Sequence, residues 1–182
     1  MRVWFVLAVL LASHRGVAHA AEVAATYHGT VVDAETGEPL SGAVVTVVWF
    51  RRPVVAMDGP EYFHEARETV ADAKGAFALD VSPSRDWNPL TYVKRPPWVV
   101  ILQPGYAPLT GAWPRGLRDM DSELRQGTSV RLPRLRTKEG LSAFTSLAAF
   151  GLTDEVPHAK IPLLMQRINA QRRLAGFQPY LQ

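Results

Sequence analysis

VVDAETGEPLSGAVVTVVWF, residues Val31 to Phe50, holds two apolar runs around a centre punctuated by Gly37, Pro39 and Gly42. β-Branched and aromatic residues fill the runs, and glycine and proline break the centre. The stretch therefore reads as two strands joined by a loop. The second run, Ala43 to Phe50, is apolar at nearly every position. A strand on the outside of a small sandwich alternates dry and wet faces, whereas this one needs cover on both. Successive side chains point to opposite sides, so Ala43, Val45 and Val47 share one face and Val44, Val48 and Phe50 the other.

Working outward, Tyr27 to Asp33 is the first strand and Ala43 to Arg51 the second. RPVVAMDGPEYF, residues 52–63, carries two prolines and Asp58-Gly59 and reads as an irregular excursion. HEARETVADAKGAFALDV, residues 64–81, reads as a hairpin. Glu65, Arg67 and Thr69 alternate with Ala66, Glu68 and Val70, and Asp72-Ala73-Lys74-Gly75 forms a turn ending on a glycine suited to positive φ. Phe77, Leu79 and Val81 then give one buried face. SPSRDWNPLTYVKRPP, residues 82–97, is a long connection. Trp98 to Leu102 is a second doubly apolar strand, residues 105–126 are loop-like, and Thr128 to Leu135 is the last strand.

From Lys138 the period changes. Leu141, Phe144, Leu147, Ala148 and Phe150 recur at helical spacing. A second helix is read in IPLLMQRINAQRRLAG, residues 161–176. Pro162 suits its first turn, Leu164, Ile168 and Ala175 share a stripe, Arg172 and Arg173 lie near its C-terminus, and Gly176 stops it. These stripes match the surplus apolar face of the second strand. The pattern predicts a mainly β domain whose C-terminal helix pair packs across the outer face of the second strand.

The chain begins like an export leader: Arg2, the apolar run Val3 to Ala12, and Ala18-His19-Ala20 as a small-residue cleavage site. The expected organisation is a signal peptide over 1–20, a β-sandwich over 21–136 and a helical tail over 137–182. The leader's apolar run is shorter than the ~20 residues of a membrane span, and no longer run follows. The expected location is periplasmic or extracellular. Of the 20 lysines and arginines, Arg2 and Arg15 lie in the leader, and the rest nearly balance 17 acidic residues. Such a balance leaves no electrostatic footprint for nucleic acid. With no cysteine, disulfides, Cys-ligated zinc and a thiol-linked lipid are excluded.

GTVVDAETGEPLSGAVVTV, TVADAKGAFAL and PGYAPL occur in order, and together they resemble the three signatures of carboxypeptidase regulatory-like domains. The matching positions include Gly29, Val31, Asp33, Gly37, Pro39, Gly42, Val45, Asp72, Gly75, Phe77, Gly105 and Tyr106. The resemblance spans roughly residues 27 to 135. It implies a Greek-key, transthyretin-like (prealbumin-type) sandwich in which the Trp98–Leu102 strand lies beside the second strand, so that the helix pair is expected to cover the outer face of both. The tail is similar to that of stand-alone exported bacterial proteins of this kind. The implied role is an extracytoplasmic interaction or structural module of the cell envelope without its own chemistry or cofactor, its partner an envelope protein or a polysaccharide.

Three enzymatic readings lack the residues they need. A metal-dependent hydrolase needs a converging ligand set, but beyond the leader the only histidines are His28, His64 and His158. His64 precedes Glu65 and Glu68 at the wrong spacing, and alternation places it with Ala66 and Glu68 on a surface ladder. The C-terminal FQPYLQ lacks the Tyr-Arg-Gly-Ser ending of the hydroxyisourate hydrolases that share this fold. No H-x-H pair accompanies Tyr62, Tyr92, Tyr106 and Tyr180, as an intradiol dioxygenase iron site requires. No catalytic or metal site is expected. The alternative to an interaction module is a carbohydrate-binding module using Trp87, Tyr92 and Trp113, which lie in long loops where rings can stack on sugars. The competing expectation is that these rings fold back over the ends of the core.

Overall fold

The computed structural model describes residues 26–55, 59–85, 87–93, 97–112, 127, 129–153 and 155–180. The leader, Trp113 and the arginines at 115, 118 and 125 lie outside them. Among the described residues eight strands form two sheets. The strands are β1 (Thr26–Asp33), β2 (Val44–Pro53), β3 (Tyr62–Val70), β4 (Ala76–Asp80), β5 (Thr91–Val93), β6 (Trp98–Leu102), β7 (Leu109–Ala112) and β8 (Ser129–Leu132). One sheet runs β4-β1-β8 and the other β3-β2-β6-β7, with β5 also paired to β2. β1 and β8 run parallel, and β2 and β6 antiparallel. The result is a β-sandwich with β6 beside β2, the neighbour relation that the resemblance implies.

Alternation sorts the two faces of β2. Ala43, Val45, Val47 and Trp49 join Tyr27, Val31, Phe77, Leu79, Val99, Ile101, Val130 and Leu132 between the sheets. Tyr27 packs its ring 5.5 Å from that of Phe77, and burial pushes its hydroxyl pKa up to about 12. Val44, Val48 and Phe50 face the other way, with Val100 and Leu102 of β6. Every residue from Val44 to Phe50 is buried.

The cover on that outer face is the C-terminal tail, as its period predicts. Leu147, Phe150, Leu152, Val156, Ile161, Leu164, Met165 and Ile168 are buried against it. Helix α1 spans Lys138–Ala143, 3₁₀ turns follow at Ala148–Phe150 and His158–Lys160, and α2 spans Pro162–Leu174. Polar bonds fix the seam. The Glu68 carboxylate on β3 accepts the N–H groups of Leu163 and Leu164, both at 2.8 Å, in the first turn of α2. It thereby satisfies donors that no helix can satisfy internally. The Thr46 hydroxyl donates to it as well. Burial raises the Glu68 pKa, against the pull of these bonds. The Phe150 carbonyl accepts from Trp98 Nε1 (2.7 Å) and Thr110 Oγ1 (2.6 Å). Gln171, fully buried, accepts the Gly105 N–H and donates to the Leu141 carbonyl.

Four expectations need correction. β3 and β4 do not form a hairpin: β3 pairs with β2, β4 pairs with β1, and the chain crosses between the sheets at residues 71–75. The turn itself is as read, with Gly75 at φ +71 and Asp72 Oδ1 accepting the Lys74 and Ala76 N–H groups. Crossing lets Phe77 and Leu79 face the core, while Arg67 on β3 reaches Asp80 on β4 at 2.6 Å across the open edge. Second, the stretches read as loops contain strands β5 and β7, each too short to show a period. Third, the first tail helix stops at Ala143. The Thr145 hydroxyl donates to the Ser142 carbonyl and Ser146 Oγ accepts the Ala149 N–H, local bonds that compete with helix.

The fourth concerns His64. Glu65 lies opposite Trp49 and Phe63 opposite Phe50, so His64 is the extra residue of a bulge. Ala66 and Glu68 face the tail, and Glu68 is a buried anchor. His64 is displaced from their ladder, and its Nε2 lies 3.0 Å from the Ser84 carbonyl oxygen.

Candidate interaction surface

β2 is longer than the core it serves. Past Phe50 it continues as Arg51, Arg52 and Pro53, leaving β6 behind and pairing with β5 on that side. On the other side Tyr62 still pairs with Arg51. The three strand ends form a flap, extended by the Val54 N–H donating to the Leu90 carbonyl at 2.8 Å.

Residues directly opposite in a ladder share a face. Arg51, Tyr62 and Val93 therefore lie on one side of the flap, and Arg52 with Tyr92 on the other. Val93 still touches the inter-sheet core, but Tyr62 and Tyr92 are exposed, and so are Val54, Val55 and Leu90.

The loop entering β5 is held in shape. Glu65 Oε2 accepts both the N–H and the hydroxyl of Ser84 at 2.6 Å. Asn88 Oδ1 accepts the Leu90 N–H, and the Asn88 carbonyl accepts from the Thr91 N–H, an Asx turn beside the strand. Trp87 sits between these anchors and is 79% exposed. The Arg85 guanidinium stacks over its ring at 4.4 Å from the centroid. The rings of Trp87 and Tyr92 thus face solvent instead of folding onto the core. Trp113, the third aromatic named from the sequence, lies outside the described residues.

Three other polar groupings are structural in their geometry. Ser84, His64 and Glu65 adjoin, but the serine hydroxyl donates to Glu65 while the His64 ring meets the serine's carbonyl. The group closes a loop and activates no nucleophile. Burial raises the Glu65 pKa, and the Ser84 and Arg67 donors outweigh it, leaving a net depression.

At the opposite side of the chain's first loop, Asp33 Oδ1 accepts the Glu35 and Thr36 N–H groups. Its Oδ2 accepts from the Tyr106 hydroxyl (3.0 Å) and Arg134 (3.1 Å). The backbone donors hold the Asp33 carboxyl far below the usual range, and the phenol of Tyr106 is raised by burial and by the carboxylate beside it. With its lone pairs taken, Asp33 ties the β1–β2 loop to Tyr106, past the end of β6, and to Arg134, past the end of β8.

A cleft of about 320 Å³ in the tail is lined by Ser146, Leu147, Ala148, His158 and Tyr180. Its two rings are engaged with each other, at 5.9 Å, and Tyr180 donates to the Thr145 carbonyl. Among the described residues no three His, Cys, Asp or Glu side chains are grouped to hold a metal ion, and no helix is long and apolar enough to cross a membrane.

Sequence reasoning named Trp87 and Tyr92 but missed Val54, Val55, Tyr62 and Leu90. The available signal was the change within one strand from VVTVVWF to RRP.

No protein-family model matches the chain, and no curated protein matches it. A streptococcal ancillary pilin of known structure aligns over 62% of this chain at 15% identity with a TM-score of 0.31. The aligned part is 30% of the pilin chain, so this protein spans less than a third of that relative's length. Likeness at that level decides nothing about function.

Proposed function

We propose that the protein is a non-enzymatic interaction module of the bacterial cell envelope, exported by its leader, that binds its partner through the β2–β3–β5 flap and the loop carrying Trp87. One observation carries this reading. Of the nine large hydrophobic side chains exposed among the described residues, six (Val54, Val55, Tyr62, Trp87, Leu90 and Tyr92) belong to this one end. Exposed apolar side chains scattered singly need no explanation, but a gathering of them marks a contact surface. The tail already seals the other apolar surplus, so the flap is what remains to be covered.

The carboxypeptidase regulatory-like assignment belongs to the same proposal. It is supported by the three motifs and by β6 lying beside β2. The organisation into leader, sandwich and tail is likewise part of it, as is location outside the cytoplasm.

Retention on an insoluble envelope fraction tests the reading. The full chain is expected to sediment with it, Trp87→Ala combined with Tyr92→Ala to stay in solution, and Leu174→Ala, exposed on the far end of α2, to behave as wild type. Equal retention of all three would refute the flap as the contact surface.

A further inference from the structure

We infer that the flap recognises an acidic polysaccharide, a chain of pyranose units bearing carboxylates; the inference rests on the flap being the contact surface. Its basis is the pairing of rings with cations. Arg51 stands opposite Tyr62 and Arg52 opposite Tyr92 in the ladder, and Arg85 lies over Trp87. Arg52 is ion-paired with Glu61, whereas Arg51 and Arg85 have no carboxylate partner among the described residues. Each exposed ring of this end thus has an arginine as its ladder or stacking neighbour, and Arg85 over Trp87 is the pair in ring contact.

A uronic acid unit carries the complement of such a pair within one residue. Its C–H face packs on an aromatic ring, and its carboxylate accepts the two parallel N–H groups of a guanidinium. A polymer of such units repeats the pair, so one chain can engage Arg85 with Trp87 and, on one side of the flap, Arg51 with Tyr62. Nucleic acid would ask for more positive charge than the chain carries outside its leader. The loop is already shaped by Glu65 and Asn88, so Trp87 loses little freedom when a ligand stacks on it.

Affinity electrophoresis of the full chain through gels containing polygalacturonate, dextran, polyglutamate or oligo-thymidylate tests this. Retardation by polygalacturonate, weakened by added salt, is expected, with little by dextran or polyglutamate. Trp87→Ala and Arg85→Gln should each weaken it about tenfold, and Leu174→Ala should not. Equal retardation by dextran removes the acidic class. Equal retardation by polyglutamate reduces the effect to ion exchange, and tighter retardation by oligo-thymidylate makes the partner a single-stranded nucleic acid. Each of these overturns the inference. So does the absence of retardation by polygalacturonate; if the Trp87 and Tyr92 variants still lose envelope retention, the flap reading then survives and only its ligand class falls. Polygalacturonate retardation unchanged in every flap variant refutes the flap itself.

Discussion

Ile168→Ala measures whether the tail is part of the fold or an appendage. Ile168 sits on α2 and is fully buried in the cluster that joins the tail to the outer faces of β2 and β6. Truncating a buried isoleucine to alanine costs about 2–5 kcal/mol, the transfer of the lost carbons plus the cavity left behind. For a chain of this size each kcal/mol lowers the melting midpoint by roughly 2–4 °C, so a fall of about 4–20 °C is expected. Leu174 on the same helix is 56% exposed, and Leu174→Ala should change stability by less than about 0.5 kcal/mol.

Urea unfolding followed by tryptophan fluorescence and by circular dichroism is the assay. Trp49 lies in the inter-sheet core and Trp98 under the tail, so a single cooperative unit gives coincident transitions that shift together in Ile168→Ala. A loosely attached tail would yield an early transition of its own, with the main one unmoved. Either that separation or an Ile168→Ala midpoint equal to that of Leu174→Ala would refute the packing argument.

Truncation after Lys138 uncovers Val44, Val48, Phe50, Val100 and Leu102. Their burial is on the order of 7–15 kcal/mol before entropy, as large as the stability of a whole domain. An aggregated product is expected on size exclusion, and a monomer of unchanged midpoint would contradict the tail's role. Gly151 adopts φ +71, and a Cβ there would penetrate the Trp98 ring, so Gly151→Ala should destabilise by about 1–3 kcal/mol in the same urea assay. The folded pKa of Glu68 is raised. Its contribution is therefore complete below the ordinary carboxylate pKa and is lost as pH rises through the folded value. Glu68→Gln should flatten stability over that window, as urea midpoints at several pH values will report. Asp33 has the opposite sign: its folded pKa is depressed, so its contribution is present above the ordinary carboxylate pKa and declines as pH falls toward the folded one. Asp33→Asn should weaken the chain at neutral pH and lessen its loss of stability in acid, measured by thermal melts from neutral to acid pH.

Much of this architecture is legible in the sequence because burial writes itself as period. The doubly apolar run of β2 calls for a second layer, and the stripes after Lys138 supply one; both follow from side-chain direction alone. Pairing partners are not written that way. Nothing in HEARETVADAKGAFALDV says that its strands belong to different sheets, because alternation fixes a strand's faces and leaves its neighbour open. Strands of three or four residues, such as β5 and β7, have no period to read. The β3 bulge shifts His64 against an alternation that holds on either side of it. The ends of β2 and β5 were hidden for a related reason: exposed valine, leucine and tyrosine in a proline-containing stretch look like an irregular loop until the ladder places them side by side.

The composition of β2 divides where its cover ends. As far as Phe50 both faces are sealed, one by the opposing sheet and one by the tail, and every position but Thr46 is apolar. Thr46 is also the residue that donates to Glu68 under α2. Beyond Phe50 the cover thins, with Val93 opposite Arg51 still against the inter-sheet core, and the strand turns to Arg51, Arg52 and Pro53. If that segment served only to close the sandwich, its outward positions and those of its partner β5 would be polar throughout, as an exposed edge requires. Instead Val54, Leu90 and Tyr92 stand on a hydrogen-bonded ladder, with a tryptophan held open beside them. Side chains that touch no core contribute little to stability, and the order imposed on this end is the ground for proposing it as the contact surface. The carboxylate that pins the loop at Ser84 belongs to Glu65, on the strand next to β2. This end is thereby braced by the strands that also carry the tail.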